Sequence, residues 1–375
     1  MSKNTPHKGF RPTWAEVDLS AIAHNLGIVS RLVNPGVKIM ACVKADAYGH
    51  GLIPVSKKLV SCGADYLGVA SIEEGLLLRE AGIRKPILIL GLISQKDIPA
   101  LFRFRLMPTV CQSDFACALA KEAQRRARRF PIHIKVDTGM HRIGVLCDKA
   151  PGLIKEIAAL KNIIIEGIFT HLACADTDRK FTLGQIKLFK SVLEKVKACG
   201  IRIPLAHAAN SMGVIAYKES HFNMVRPGLM LYGLYPKETA RMPLLRPALS
   251  LKTRVVYVKR LPAGSGISYG HTYITRTPAS IVTLPIGYGD GYPRNLSNLA
   301  PVLIKGRVLR ISGRVCMDQL MVDAGNMKVS TGDEAVLIGR QGNRNISAER
   351  LATLAGTIPY EIVCGLGSRI PRIYG

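Results

Sequence analysis

Between Val37 and Arg226, short segments apolar along both faces alternate with stretches whose apolar residues recur every three or four positions. The apolar segments are 37–43, 65–70, 86–90, 106–110, 131–136, 163–169, 203–207 and 222–226, and helical periodicity falls near 52–62, 72–81, 95–102, 114–128, 149–160, 182–199 and 210–217. A strand apolar on both faces must be covered on both, and a following helix provides the crossover that parallel pairing needs. Eight such units predict an N-terminal (β/α)8 barrel of the TIM type. A doubly wound open sheet is the alternative, and periodicity does not separate the two.

Upstream, Ala15-Glu16-Val17-Asp18-Leu19 alternates like a short strand, and Asp18 or Ser20 caps a helix carrying Ile22, Leu26, Val29 and Val33. The pattern changes near 240, where Glu238–Pro243 has no periodicity and reads as a linker. Beyond it, Leu249–Leu261, Ser280–Pro285, Pro301–Ile304, Arg307–Ile311, Gln319–Asp323 and Glu334–Ile338 are alternating segments separated by Gly-containing turns. The expected architecture is therefore α/β plus all-β: a flexible tail over 1–10, a barrel over 11–240 and a C-terminal β domain over 241–375.

No stretch approaches the length of a membrane span. The polar N-terminus, with Lys3, Lys8 and Arg11 and no apolar segment behind them, sets the expectation of a cytoplasmic protein without a secretory signal. Nine cysteines without paired spacing read as reduced, mostly buried thiols, so no metal site is expected. The 52 Lys and Arg against 26 Asp and Glu raise the question of nucleic acid. The densest block, Lys121 to Arg129, has no interleaved aromatics and reads as the solvated face of a helix, so no nucleic-acid partner is expected. The excess charge instead favours anionic small molecules.

Polar residues cluster just after the apolar segments. Lys44 and Tyr48 follow the first, Lys135, Asp137 and Arg142 sit at or beyond the fifth, Thr170 and His171 follow the sixth, His207, Asn210 and Ser211 the seventh, and Arg226, Gly228 and Leu229 the eighth. In a (β/α)8 barrel these positions share the rim that carries the chemistry. Asn210 and Ser211 open a helix, and Pro227-Gly228-Leu229 lets a backbone approach a ligand, so both offer N–H groups to a phosphate. A lysine facing such a cradle is the layout for pyridoxal phosphate held as a Schiff base.

The chain resembles the alanine racemases, pyridoxal-phosphate enzymes built of a (β/α)8 barrel and a β domain. The resemblance runs from Trp14–Leu19 to Arg369–Tyr374 through Val43–Gly51, Lys135–Met140, Arg142–Gly144, Ala209–Ser211, Val225–Gly228, Ser268–Gly270, Gly287–Tyr292 and Cys316–Asp318. It implies interconversion of L- and D-alanine, with a broader amino-acid racemase as the alternative, and D-alanine destined for peptidoglycan. It implies that Lys44 carries pyridoxal 5'-phosphate and is one acid–base group, and that Tyr269, from the β domain of a second copy, is the other. Each face of a planar carbanion needs its own base. Tyr48, Asn210, Ser211, Gly228, Leu229 and Tyr360 are implied to bind the cofactor with His171 and Arg226. Because a guanidinium only donates, Arg226 would leave the cofactor's ring nitrogen unprotonated. Arg142 is implied to hold the substrate carboxylate or a cofactor oxygen, and Met317 and Tyr288 to line the entrance from the second copy. Lys135 aligns with a lysine carbamylated in some members. A homodimer with shared sites follows. His141 stands where the family usually has a small residue, which puts the placement of Arg142 in question.

Overall fold

The computed structural model describes residues 10–236 and 244–375. The linker expected at 238–243 and nine residues of the expected tail lie outside them. Eight parallel strands, Lys38–Cys42, Tyr66–Val69, Ile87–Ile89, Met107–Val110, Phe130–Asp137, Ile163–Phe169, Leu205–His207 and Met224–Val225, pair in chain order. The eighth pairs with the first, Val225 opposite Ile39, so the sheet closes into a barrel and the open-sheet alternative falls. Met40, Tyr66, Leu88, Met107, Phe169, Leu205 and Met224 form a buried cluster of their own, apart from the larger core. Their bulk plugs the ring, so the chemistry is confined to its rim.

The helices begin where their caps predict. Asp18 accepts from Ser20 and Ala21 N–H, Asp178 from Phe181 N–H and Asn210 from Gly213 N–H. The basic block sits at the end of helix Ser113–Arg125, where Glu122 bonds Arg125 and Arg126, and Arg126 lies 5.2 Å from the Phe102 ring centre.

The second region is built on a sheet in the order Arg307–Arg310, Pro301–Ile304, Glu334–Gln341, Leu249–Arg254, Thr13–Val17, Arg372–Tyr374. The strand at 13–17 precedes the barrel in sequence yet is antiparallel to 249–254 and parallel to 372–374. Arg344–Ile346 pairs with Glu334–Gln341, and a three-stranded sheet, Tyr257–Leu261, Ala279–Leu284 and Leu320–Asp323, and a two-stranded one, Gly266–Ile267 with Tyr273–Ile274, lie in the same region. The region is mostly strand but not all-β: Ala348–Ala355, capped by Ser347, and Pro359–Cys364, opened by a proline at its first position, are helices. They are short, and their few apolar residues do not outweigh the surrounding alternation. The nine cysteines are free, but among them only Cys42 is buried, which corrects the expectation of mostly buried thiols.

Candidate active site

The first barrel strand does not simply end at Lys44. The chain winds through Lys44–Gly49 as a left-handed turn, with Ala45, Asp46, Ala47 and Tyr48 at φ values of 53°, 52°, 53° and 55°. Four non-glycine residues in that region cost about 4–8 kcal/mol together. The cost is offset locally. Glu74 Oε1 accepts the Ala45 N–H at 2.6 Å, Asp46 Oδ1 accepts the Leu52 N–H at 2.6 Å, and Arg372 Nε donates to Gly49 O at 3.1 Å. The Tyr48 ring stacks on Tyr232 with centres 4.7 Å apart. Gly49 and Gly51 also have positive φ, and a Cβ on either would overlap Val363 O or Tyr374 Oη. The glycines therefore let the C-terminal segment press against the turn that presents Lys44.

Above the plugged barrel lies a cavity of about 260 Å3 lined by Lys44, Lys135, Arg142 and Arg226, with no carboxylate among its lining residues. Tyr48, His171, Asn210, Ser211, Gly228, Leu229 and Tyr360 line it too, so ten of the implied site residues other than Lys135 meet in one chain. Ser211 Oγ, 5% exposed with its residue, accepts the Gly228 and Met230 N–H groups at 3.0 and 3.2 Å and so fixes the loop after the eighth strand. A Cβ on Gly228 would overlap Tyr48 Oη, so the tyrosine hydroxyl can close on this loop only because residue 228 is glycine.

Arg226 is buried, and burial lowers its pKa to about 10, which leaves it charged at neutral pH. Its Nη1 is 2.9 Å from His207 Nδ1, and its Nη2 donates to Thr170 O at 2.7 Å and Ala208 O at 3.1 Å. Since a guanidinium only donates, His207 Nδ1 accepts, and His207 Nε2 then carries the proton shared with His133 Nδ1 at 2.9 Å. Burial first and the Arg226 charge second hold His207 and His171 well below the usual histidine range, so both are neutral. Phe169 is the floor: its ring lies parallel to His207 at 4.8 Å, with Lys135 Nζ 5.0 Å and Arg226 5.2 Å from its centre. Lys135 is driven down to about 6, chiefly by burial and then by Arg226, so its amine is neutral near pH 7.

His141 has φ 53°, a left-handed conformation that favours a small residue, and its backbone N–H is held by Asp137 Oδ1 with those of Gly139 and Met140. Its side chain is 74% exposed and Arg142 still reaches the cavity, so the departure at 141 does not remove that arginine. Tyr269, Met317 and Tyr288 are elsewhere. Tyr269 is 71% exposed and shares a separate hollow with Met317, while Tyr288 is exposed on the same region. Phe169, His133, Cys42 and Cys364 were not singled out by sequence; in an apolar strand Phe169 reads as ordinary core, and only its place one residue before the rim marks it.

A barrel with a lysine-bearing rim, a cavity suited to anionic groups and a strand-rich region pressed on its mouth has the layout of a barrel enzyme with its site at the strand ends. The sequence families described as "Alanine racemase, N-terminal domain" and "Alanine racemase, C-terminal domain" match residues 17–236 and 248–374. The alanine racemase of Halothermothrix orenii is 49% identical over 367 residues, covering 97% of each chain, and that of Symbiobacterium thermophilum is 47% identical, covering 98% of each. Among solved structures, alanine racemase of Clostridium difficile superposes with a TM-score of 0.93 at 37% identity, covering 98% of this chain and 97% of that one. The alanine racemase of Bacillus anthracis with bound L-Ala-P gives 0.92 at 38%, covering 98% and 96%. The chain belongs to the alanine racemase family and is an isomerase.

Proposed function

We propose that this chain interconverts L- and D-alanine in the cytoplasm as a homodimer, with pyridoxal 5'-phosphate held at Lys44, and so supplies D-alanine for peptidoglycan. The observation that carries this reading is the cavity itself. Three cationic side chains, Lys44, Arg142 and Arg226, and no carboxylate line it, which suits a phosphate and a substrate carboxylate together. The end of the cavity where Gly228 and Leu229 meet the hydroxyls of Tyr48, Ser211 and Tyr360 fits the phosphate. When bound, pyridoxal phosphate supplies an electron-withdrawing ring conjugated to the substrate amine, which acidifies the Cα–H.

The chain's own residues do the rest. Lys44 removes or returns the Cα proton on one face, and Tyr269 of a second copy does so on the other. Arg142 orients the substrate carboxylate through paired N–H donors. Arg226 is held charged and aimed by His207, Thr170 and Ala208, so it can donate to a ring nitrogen but never protonate it. Neutral Lys135 is nucleophilic toward CO2: its nitrogen forms a bond to carbon and loses a proton, and the resulting carbamate would place an anion beside Arg142. Met317 and Tyr288 of the second copy narrow the entrance to a methyl-sized side chain.

Subunit complementation tests the reading. Lys44→Ala and Tyr269→Ala are each expected to be inactive toward L-alanine, and co-refolding the two should restore activity, because the hybrid holds one site with both groups. No recovery on mixing would show that a site draws both groups from one chain.

A further inference from the structure

Ser71-Ile72-Glu73-Glu74 has the spacing of a capping box, in which the glutamate would reach back to the N–H of the capping serine. Ser71 does cap helix Ile72–Glu80, its hydroxyl accepting the Glu74 N–H at 3.5 Å. Glu74 does not complete the box. Its Oε2 accepts the Ala70 N–H at 2.7 Å and its Oε1 crosses to the Ala45 N–H at 2.6 Å. That N–H belongs to the peptide directly after Lys44, at the first step of the left-handed turn.

We propose that Glu74 is a positioning residue for the racemisation: its half-buried carboxylate ties the second strand's exit to the peptide after Lys44 and so fixes where the lysine amine points. The inference rests on the assignment of Lys44 above. No other side chain in the structure's described residues bonds that N–H, whereas Asp46 and Arg372 secure only the far end of the turn. Without Glu74 the Ala45 peptide is free to turn over and relax toward right-handed geometry, and the Lys44 Cα–Cβ direction turns with it. A carboxylate is suited to this because it accepts from both loops at once with charge-assisted bonds.

The test compares the whole chain with Glu74→Gln, Glu74→Ala and Ser71→Ala. Two readouts are taken: the rate at which pyridoxal phosphate and borohydride label Lys44, followed by peptide mass spectrometry, and kcat against KM for L-alanine. Glu74→Ala is expected to slow labelling and kcat by about tenfold or more with KM little changed, and Glu74→Gln, which keeps one acceptor and the side-chain volume, by about threefold. Ser71→Ala removes the helix cap only and is expected to lower the unfolding temperature while labelling stays at the parental rate. Parental labelling in Glu74→Gln, or equal losses in Ser71→Ala and Glu74→Ala, would overturn the proposal. If the parent itself is not labelled at Lys44, the failure belongs to the assignment of that lysine.

Discussion

Lys135 gives the most quantitative expectation. Its amine is held near 6 against an ordinary 10.5, because burial and the Arg226 charge disfavour the ammonium. At 1.36 kcal/mol per pH unit, that gap is worth at most about 6 kcal/mol. The folded form loses its proton at a lower pH than the unfolded chain, so between about 6 and 10.5 the unfolded state binds more protons and stability rises with pH. The destabilisation is complete below about 6, falls to roughly half its maximum, about 3 kcal/mol, at pH 8 and to about 1 kcal/mol at pH 10. Lys135→Met keeps the packing on Phe169 and removes the titrating group. In CO2-depleted buffer, where the amine stays free, the variant should unfold at a higher temperature than the parent at pH 6 and at nearly the same temperature at pH 10. Even half the maximum corresponds to at least about 3 °C between the two. A gain independent of pH, or a loss at pH 6, would refute the argument that a buried lysine is being kept neutral.

Other outcomes follow from the same geometry. Gly228→Ala pushes a methyl into Tyr48 Oη and should weaken pyridoxal phosphate binding about tenfold or more, read by equilibrium dialysis, while the overpacking costs about 1–3 kcal/mol of stability. Arg11→Ala removes the two-pronged partner of the fully buried Asp290, leaving Arg369 at 3.3 Å; a loss of about 1–3 kcal/mol is expected in urea unfolding. His207→Phe keeps the stack on Phe169 but frees one Arg226 nitrogen, so racemisation should slow while labelling of Lys44 persists; unchanged kcat would separate His207 from the aim of Arg226.

The barrel was legible because its signal is cumulative: eight two-sided apolar strands at regular intervals have few other solutions. The rim residues followed from that, since position after a strand is all that is needed to place Lys44, Arg142, His171, Ser211 and Arg226 on one face. What sequence hid is of two kinds. The helix Pro359–Cys364, which brings Tyr360 to the cavity, is too short for a period to show. The run of positive φ from Ala45 to Tyr48 contradicts local propensity, because alanine and tyrosine resist that geometry and partners distant in sequence such as Glu74 and Arg372 help to hold it. Glu74 lies inside the helical stretch expected near 72–81, and nothing local distinguishes a carboxylate that turns away from its own helix.

The placement of Thr13–Val17 has a consequence for how the chain is made. Its two hydrogen-bonded neighbours are synthesised more than two hundred residues after it. While the ribosome extends the barrel, this strand has no native partner. It gains one edge only when 249–254 emerges, and the other only with 372–374. The Lys44 turn is in the same position, since Arg372 reaches Gly49 from that last strand. A truncated product would therefore hold a barrel whose leading strand lacks its native partners and whose Lys44 turn lacks Arg372, and the strand's exposed edge is one that a chaperone can recognise.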